Sequence, residues 1–264
     1  MGNRAINEMF DLHGKVAIVT GGGTHLGIAF TESLAELGAH VYIASRRAQL
    51  CKDVALQLRG RGLQVTGLGC DAMNETEVRS LVGQVIEESG RLDVLVANAG
   101  GSRVTKHPPH GDLAEFRRAL EMNMVSTYIS AQEAAKAMLP QGTGAIVTLG
   151  SIAARLAMDT RIYNPGFQRS GAPYIAAKAG ILGLTRALAA EFSPHGIRVN
   201  CISPGQIPND QTDKDQVETF RLMNALQRTG LAEDVKGAVA LLATDAGAWI
   251  TGQEIIVDGG WSMW

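Results

Sequence analysis

Residues 15–27 read KVAIVTGGGTHLG, and the order of residue types in that stretch decides the fold. A short run rich in valine and isoleucine marks a strand buried on both faces. Three glycines, Gly21 to Gly23, then turn the chain, and an apolar helical pattern begins at Leu26. Strand, glycine-rich turn and helix start bring free backbone N–H groups and the positive end of a helix dipole to one point. A pyrophosphate can be received there. Alone, such a turn is a weak signal, because ordinary strand–helix connections are also rich in glycine.

The rest of the chain repeats the pattern. After the strand over residues 15–20, a helix is predicted over 26–37, ending at Gly38. Strands follow at 40–45 and 63–70, separated by a helix to about residue 58, with a helix at 75–88 behind them. Strands at 92–97 and 144–149 flank a long helical stretch, 113–139. A strong helix at 174–192, a strand at 197–202, a helix at 233–243 and a strand at 254–257 complete the series. Apolar strands spaced by helices require right-handed crossovers, which place helices over both faces of a parallel sheet. The expectation is an α/β fold: one doubly wound, seven-stranded Rossmann domain over residues 1–264.

Composition sets limits on function. Charged residues are 19% of the 264, and the net charge is −2, which argues against nucleic-acid binding through basic surface. No apolar run reaches membrane-spanning length, and the N-terminal stretch, with Glu8 and Asp11, does not read as a secretory signal. Cys51, Cys70 and Cys201 are odd in number, widely spaced and set in apolar runs, so buried thiols are expected rather than disulfides or a metal site. A cytoplasmic protein with no nucleic-acid or membrane partner is expected.

Several ordered motifs run from the glycine turn to residue 264. They are Thr20-Gly21-x-x-x-x-x-Gly27, Asp71 after strand three, Asn98-Ala99-Gly100 after strand four, and Ser151 after strand five. Tyr174-x-x-x-Lys178 and Pro204-Gly205 follow. Together they resemble the short-chain dehydrogenase/reductase family, in its single-domain branch. The resemblance implies that Thr20, Gly21, Gly23, Thr24, His25, Leu26 and Gly27 border a nicotinamide dinucleotide. It also implies that Asp71 and Ala72 lie beside adenine. Asn98, Ala99, Gly100, Pro204, Gly205, Ile207 and Asn209 are expected along the rest of the cofactor. Two departures stand out. His25 replaces the family's middle glycine, leaving two outcomes: a side chain beside the phosphates, or one turned to solvent. Asn209 stands where a threonine is expected.

Cofactor choice falls to the end of strand two, Ala44-Ser45-Arg46-Arg47. Ser45 occupies the place where NAD-binding relatives carry an acid, and Arg46, with Arg47 beside it, can fork onto a 2′-phosphate. NADP is expected, with NAD as the alternative.

At the reactive end, a spacing of four puts Tyr174 and Lys178 on one helix face. A phenol of pKa about 10 is a poor acid–base group near neutrality, and a neighbouring ammonium together with the positive charge of an oxidised nicotinamide is expected to lower it. By resemblance, Ser151 polarises the substrate carbonyl and Tyr174 exchanges the proton. Lys178 bonds the nicotinamide ribose, and Asn123 holds a water of the proton relay. Tyr174 and Lys178 thus count among the cofactor-binding residues as well as the catalytic ones.

Ser151 and Tyr174 are 23 positions apart, more than the family usually has. The added segment, about 155–171, carries Arg155, Arg161, Arg169, Tyr163 and Phe167. Similar insertions occur in gluconate 5-dehydrogenase-like members, which points to a sugar acid or other carboxylate; a lid or subunit contact is the other reading of the segment. Residues 206–229 are the expected substrate loop. The activity implied is interconversion of a carbonyl and a secondary alcohol on a small-molecule substrate, by a homotetramer. Left open are an NAD-linked dehydrogenase of a sugar acid or polyol, and a nucleotide-binding regulator without turnover.

Overall fold

In the computed structural model, which describes residues 4–102, 105–157, 159–163 and 169–264, seven parallel strands form one sheet in the order β3-β2-β1-β4-β5-β6-β7. They are β1 (Val16–Thr20), β2 (His40–Ser45), β3 (Val65–Gly69), β4 (Val94–Ala97), β5 (Gly144–Leu149), β6 (Ile197–Pro204) and β7 (Glu254–Val257). Side chains alternate across a strand, and here both alternating sets are buried. Ala17, Val19, Val41, Ile43, Val94 and Val96 join one core. Their neighbours Val16, Ile18, Tyr42, Ala44, Leu95 and Ala97 join the other. The first core is closed by α2 (Leu26–Glu36), α3 (Ala48–Arg59) and α9 (Lys236–Ala243). The second is closed by α4 (Glu75–Ser89), α6 (Ser126–Met138) and α7 (Ala172–Phe192). This is the doubly wound arrangement read from the sequence.

Strand order reverses between β1 and β4, so their carboxyl ends open the crevice where such sheets take ligands. Helix ends are set by ordinary caps: the Asn74 side chain accepts from Thr76 N–H at 3.0 Å to start α4, and Gly90, at φ 73°, ends it.

Several elements differ from the sequence reading. The stretch 113–139 is not one helix but α5 (Leu113–Leu120), a π-helical turn (Glu121–Val125) and α6. The cause is at Asn123, whose Nδ2 donates both to Ala119 O at 2.9 Å and to Gly101 O at 3.0 Å, drawing the helix against the loop after β4. The helix expected at 233–243 begins as a 3₁₀ turn, Ala232–Val235. The expected loop 206–229 contains a helix, α8 (Lys214–Met223), capped by Asp213, and a short α1 (Ile6–Met9) precedes β1. Among the described residues no helix is long and apolar enough to cross a membrane.

Candidate active site

The β1–α2 turn is held by backbone. Gly21 N–H donates to Ala44 O at 2.7 Å, while Asn98 Nδ2 donates to Thr20 O at 3.0 Å and Gly21 O at 3.1 Å. Ala99 N–H donates to Thr20 Oγ1 at 3.1 Å, so the turns after β1 and β4 are stitched together. Only glycine fits at Gly27, where a Cβ would lie 2.1 Å from Gly21 O. Gly21 itself has φ +66°, and a Cβ there would lie 2.9 Å from Asn98 Nδ2.

Beside this turn lies a cavity of about 540 Å³. Its walls bring together Thr20, Gly21, Gly23, Thr24, Ser45, Arg46, Arg47, Asp71, Ala72, Ala99 and Gly100, as the sequence reading expected. Cys70, Met73, Met122 and Ser126 also line it, and the sequence reading gave none of them a place at the cofactor. Ser45 Oγ accepts from Arg47 N–H at 3.2 Å. Among the described residues no carboxylate pairs with the exposed guanidinium of Arg46 or of Arg47. All three cysteines are buried and free, and burial pushes the Cys70 thiol up to about 12.

A second cavity, of about 460 Å³, continues along the strand ends and shares Gly21, Thr24, Ala99 and Gly100 with the first. It gathers His25, Leu26, Gly27, Asn98, Ser151, Tyr174, Lys178, Pro204, Gly205, Ile207 and Asn209. Ser151 leaves β5 and caps the next turn, its Oγ accepting from Ala153 N–H at 3.1 Å. That fills an acceptor position and leaves the hydroxyl hydrogen to be donated elsewhere, and Tyr174 shares the cavity with it. Lys178 is 5% exposed, its Nζ donating to Leu149 O at 2.7 Å and standing 5.6 Å from the centre of the Tyr174 ring.

The expected lowering of the Tyr174 phenol is corrected. Burial raises it, and this outweighs the lowering influence of the Ser151 hydroxyl. Lys178 pays the desolvation cost as well, and burial brings its ammonium down to about 8. Asn123 is 0% exposed and lines neither cavity. Its Oδ1 accepts from Gly101 N–H at 3.0 Å, so it braces the loop after β4. Asn209 turns its Oδ1 back onto Gln211 N–H at 3.0 Å. His25 lines the second cavity, and its Nε2 lies 3.0 Å from the Ile207 carbonyl oxygen.

A third cavity, of about 230 Å³, opens from Ser151, Tyr174, Gly205 and Ile207 and is closed by Tyr163, Ser170, Gln206, Thr212 and Phe220. The segment 155–171 therefore does reach the site, through Tyr163 and Ser170; Phe167 lies outside the described residues. Two of its arginines are engaged: Arg155 with Glu254, and Arg161 with Asp159. Tyr163 meets Phe220 of α8 edge to face at 6.0 Å, and Phe220 meets Trp261 likewise. Sequence alone could not find this row, whose members lie 57 and 41 positions apart.

A doubly wound parallel sheet, a glycine turn at its switch point and a serine–tyrosine–lysine group at the adjoining strand ends define a nicotinamide-dependent oxidoreductase. The sequence model described as Enoyl-(Acyl carrier protein) reductase matches residues 23–262. Over 96% of its length this chain is 32% identical to borneol dehydrogenase, mitochondrial, of Lavandula x intermedia, covering 92% of that protein. It superposes on the NADPH-dependent 3-quinuclidinone reductase of Rhodotorula rubra with a TM-score of 0.89, at 29% identity over 100% of this chain and 97% of that one. A gluconate 5-dehydrogenase of Burkholderia cenocepacia, in complex with NADP and tartrate, gives a TM-score of 0.89 at 25% identity over 98% and 100%. The chain belongs to the short-chain dehydrogenase/reductase family, and it is an oxidoreductase acting between alcohol and carbonyl.

Proposed function

We propose that the protein is an NADP(H)-dependent enzyme that interconverts a carbonyl and a secondary alcohol, with Ser151, Tyr174 and Lys178 as its catalytic residues. The observation that carries the cofactor reading is the exposed pair Arg46 and Arg47 at the end of β2. Both line the wide cavity, and no described carboxylate pairs with either. A 2′-phosphate needs such cations, whereas a bare ribose hydroxyl is met by an acid. The glycine cradle fits a dinucleotide, since a Cβ at Gly27 has no room and the two cavities run on from each other. The cofactor supplies or accepts the hydride.

The protein's own residues handle the proton. Ser151, its oxygen already bonded by Ala153 N–H, donates its hydrogen to the substrate oxygen. Tyr174 is kept protonated by burial and serves as the acid in the direction of carbonyl reduction. Lys178, anchored on Leu149 O, holds a positive charge beside the ring and favours the phenolate left behind. For the substrate, a polyhydroxy acid is the reading that Arg169 favours. It lies near Tyr163, whose phenol burial raises against the opposing charge of this arginine, and among the described residues it has no carboxylate partner. The likeness to the gluconate 5-dehydrogenase supports the same class. Trp249, 100% exposed, with exposed Met263 and Trp264, supports a homotetramer; scattering that gives one chain's mass would sink it. Buried thiols in reduced form accord with a cytoplasmic location.

The test is cofactor titration followed by NADPH fluorescence. The protein should bind NADPH more tightly than NADH. Replacing Arg46→Ala with Arg47→Ala should weaken NADPH about ten- to hundredfold while leaving NADH almost unchanged. Equal affinities in the unaltered protein would overturn the NADP reading.

A further inference from the structure

The β1–α2 turn and the loop after β6 form opposite lips of the cavity that holds Tyr174 and Lys178. One side chain spans them. His25 Nε2 is 3.0 Å from the carbonyl oxygen of Ile207, 182 positions away. A carbonyl only accepts, so Nε2 carries the hydrogen and the neutral ring is the Nε2–H tautomer. Both His25 and Ile207 line the cavity, so the bond crosses its mouth. Beyond Ile207 the same segment runs into α8, and Gly230 N–H returns to Gln206 O at 3.0 Å, closing a loop whose base lies next to the clasped residue.

The backbone of His25 shows that this contact is held against a cost. Its φ of 45° and ψ of −120° lie where side chains are disfavoured and glycine is at ease. As first residue of the helix cap it makes no side-chain cap bond, so the ring contributes nothing to starting α2. The imidazole's hydrogen bond is spent on the opposite lip alone.

We propose that His25 is a positioning residue that clasps the β6–α8 loop over the nicotinamide end of the cleft, so that cofactor exchange requires the His25–Ile207 bond to break. The proposal rests on the NADP(H) reading for the identity of what is retained, but not for the clasp itself. Strain and tether separate in two substitutions. His25→Gly removes both, and His25→Ala removes the tether while keeping a Cβ at positive φ. In both, displacement of bound NADPH by excess NADP, followed by stopped-flow fluorescence, should be faster by about three- to tenfold, the worth of one net hydrogen bond. Melting temperatures should diverge, with His25→Gly at or above the unaltered protein and His25→Ala below it. Hydrogen exchange at residues 207–212, measured without cofactor, should rise in both.

Unchanged exchange at 207–212 in His25→Gly would overturn the clasp whatever the cofactor. Release rates that follow melting temperature, slow in His25→Gly and fast in His25→Ala, would also overturn it, because His25 would then act only through fold stability. If the unaltered protein fails to bind NADPH, the cofactor reading falls, and hydrogen exchange still decides the clasp.

Discussion

At the wide end of the cleft the wall formed by the turns after β1 and β4 is largely backbone. Gly21, Gly27, Ala99 and Gly100 present peptide groups, and their contacts to Ala44, Thr20 and Asn98 tie three strand ends into one rigid edge. At the narrow end the walls are side chains from segments with no local relation. Ser151 comes from the end of β5, Tyr174 from α7, Tyr163 from the long β5–α7 connection, Phe220 from α8 and Trp261 from the last turn. A backbone-built wall recognises what all bound dinucleotides share, and a side-chain wall can be rebuilt for each substrate without disturbing the sheet. Changes at the narrow end should therefore alter turnover and substrate binding while cofactor affinity stays put.

The largest test of that separation is Tyr174→Phe. Removing one oxygen leaves the ring and its packing in place but leaves no group to exchange the proton. Turnover should fall by roughly 10²–10⁴-fold, the usual worth of general acid–base catalysis. NADPH affinity should stay within about twofold, since no backbone contact of the wide end is touched. Retained turnover would show that another group supplies the proton, and a matching loss of affinity would show that the two ends are not separable.

Lys178 sits at the junction and gives a second effect, read as stability against pH. Its ordinary value, kept in the unfolded chain, is 10.5, and burial with a single carbonyl partner brings it down to about 8 in the folded protein. Between those values the unfolded chain binds more protons, so stability rises with pH through that window, and below about 8 the whole penalty is present. Lys178→Met has no such group. Its melting temperature relative to the unaltered protein should be most favourable near pH 7 and lose ground by pH 10, by on the order of several degrees at ~2–4 °C per kcal/mol. A gap that stays constant with pH would show that the ammonium is solvated in the folded protein.

The same contrast explains what was legible in the sequence. The strands were readable because both of their faces are buried, which leaves unbroken apolar runs. The glycine turn was readable because local sterics at Gly21 and Gly27 admit one residue type. Asn123 was found, but the turn it shapes was not. The π-helical turn it forms depends on Gly101, a partner 22 positions away whose approach no helical periodicity records. His25 was noticed only as a missing glycine, because its partner Ile207 offers a carbonyl, and any residue could have stood there. The rise of the Tyr174 phenol went unseen for a related reason. Spacing of four residues reports that Lys178 is near, but not how much water the fold removes from both.

The smallest effect is expected where the narrow end is assembled from its most distant pieces. Gln216, 0% exposed on α8, donates its Nε2 hydrogen to the Ile162 carbonyl at 3.1 Å, joining the lid helix to the long β5–α7 connection. Phe220, one helical turn further along α8, stacks on Tyr163 from the same connection. Both contacts join the same pair of segments at the substrate wall, and neither touches the glycine turn. Gln216→Ala removes one of them, worth about 1 kcal/mol net. KM for the carbonyl substrate should rise about three- to tenfold as the wall loosens, with NADPH affinity unchanged. A fall in kcat at constant KM would mean instead that α8 positions the reacting groups rather than the substrate, and the division between a rigid cofactor end and an adaptable substrate end would have to be redrawn through α8 itself.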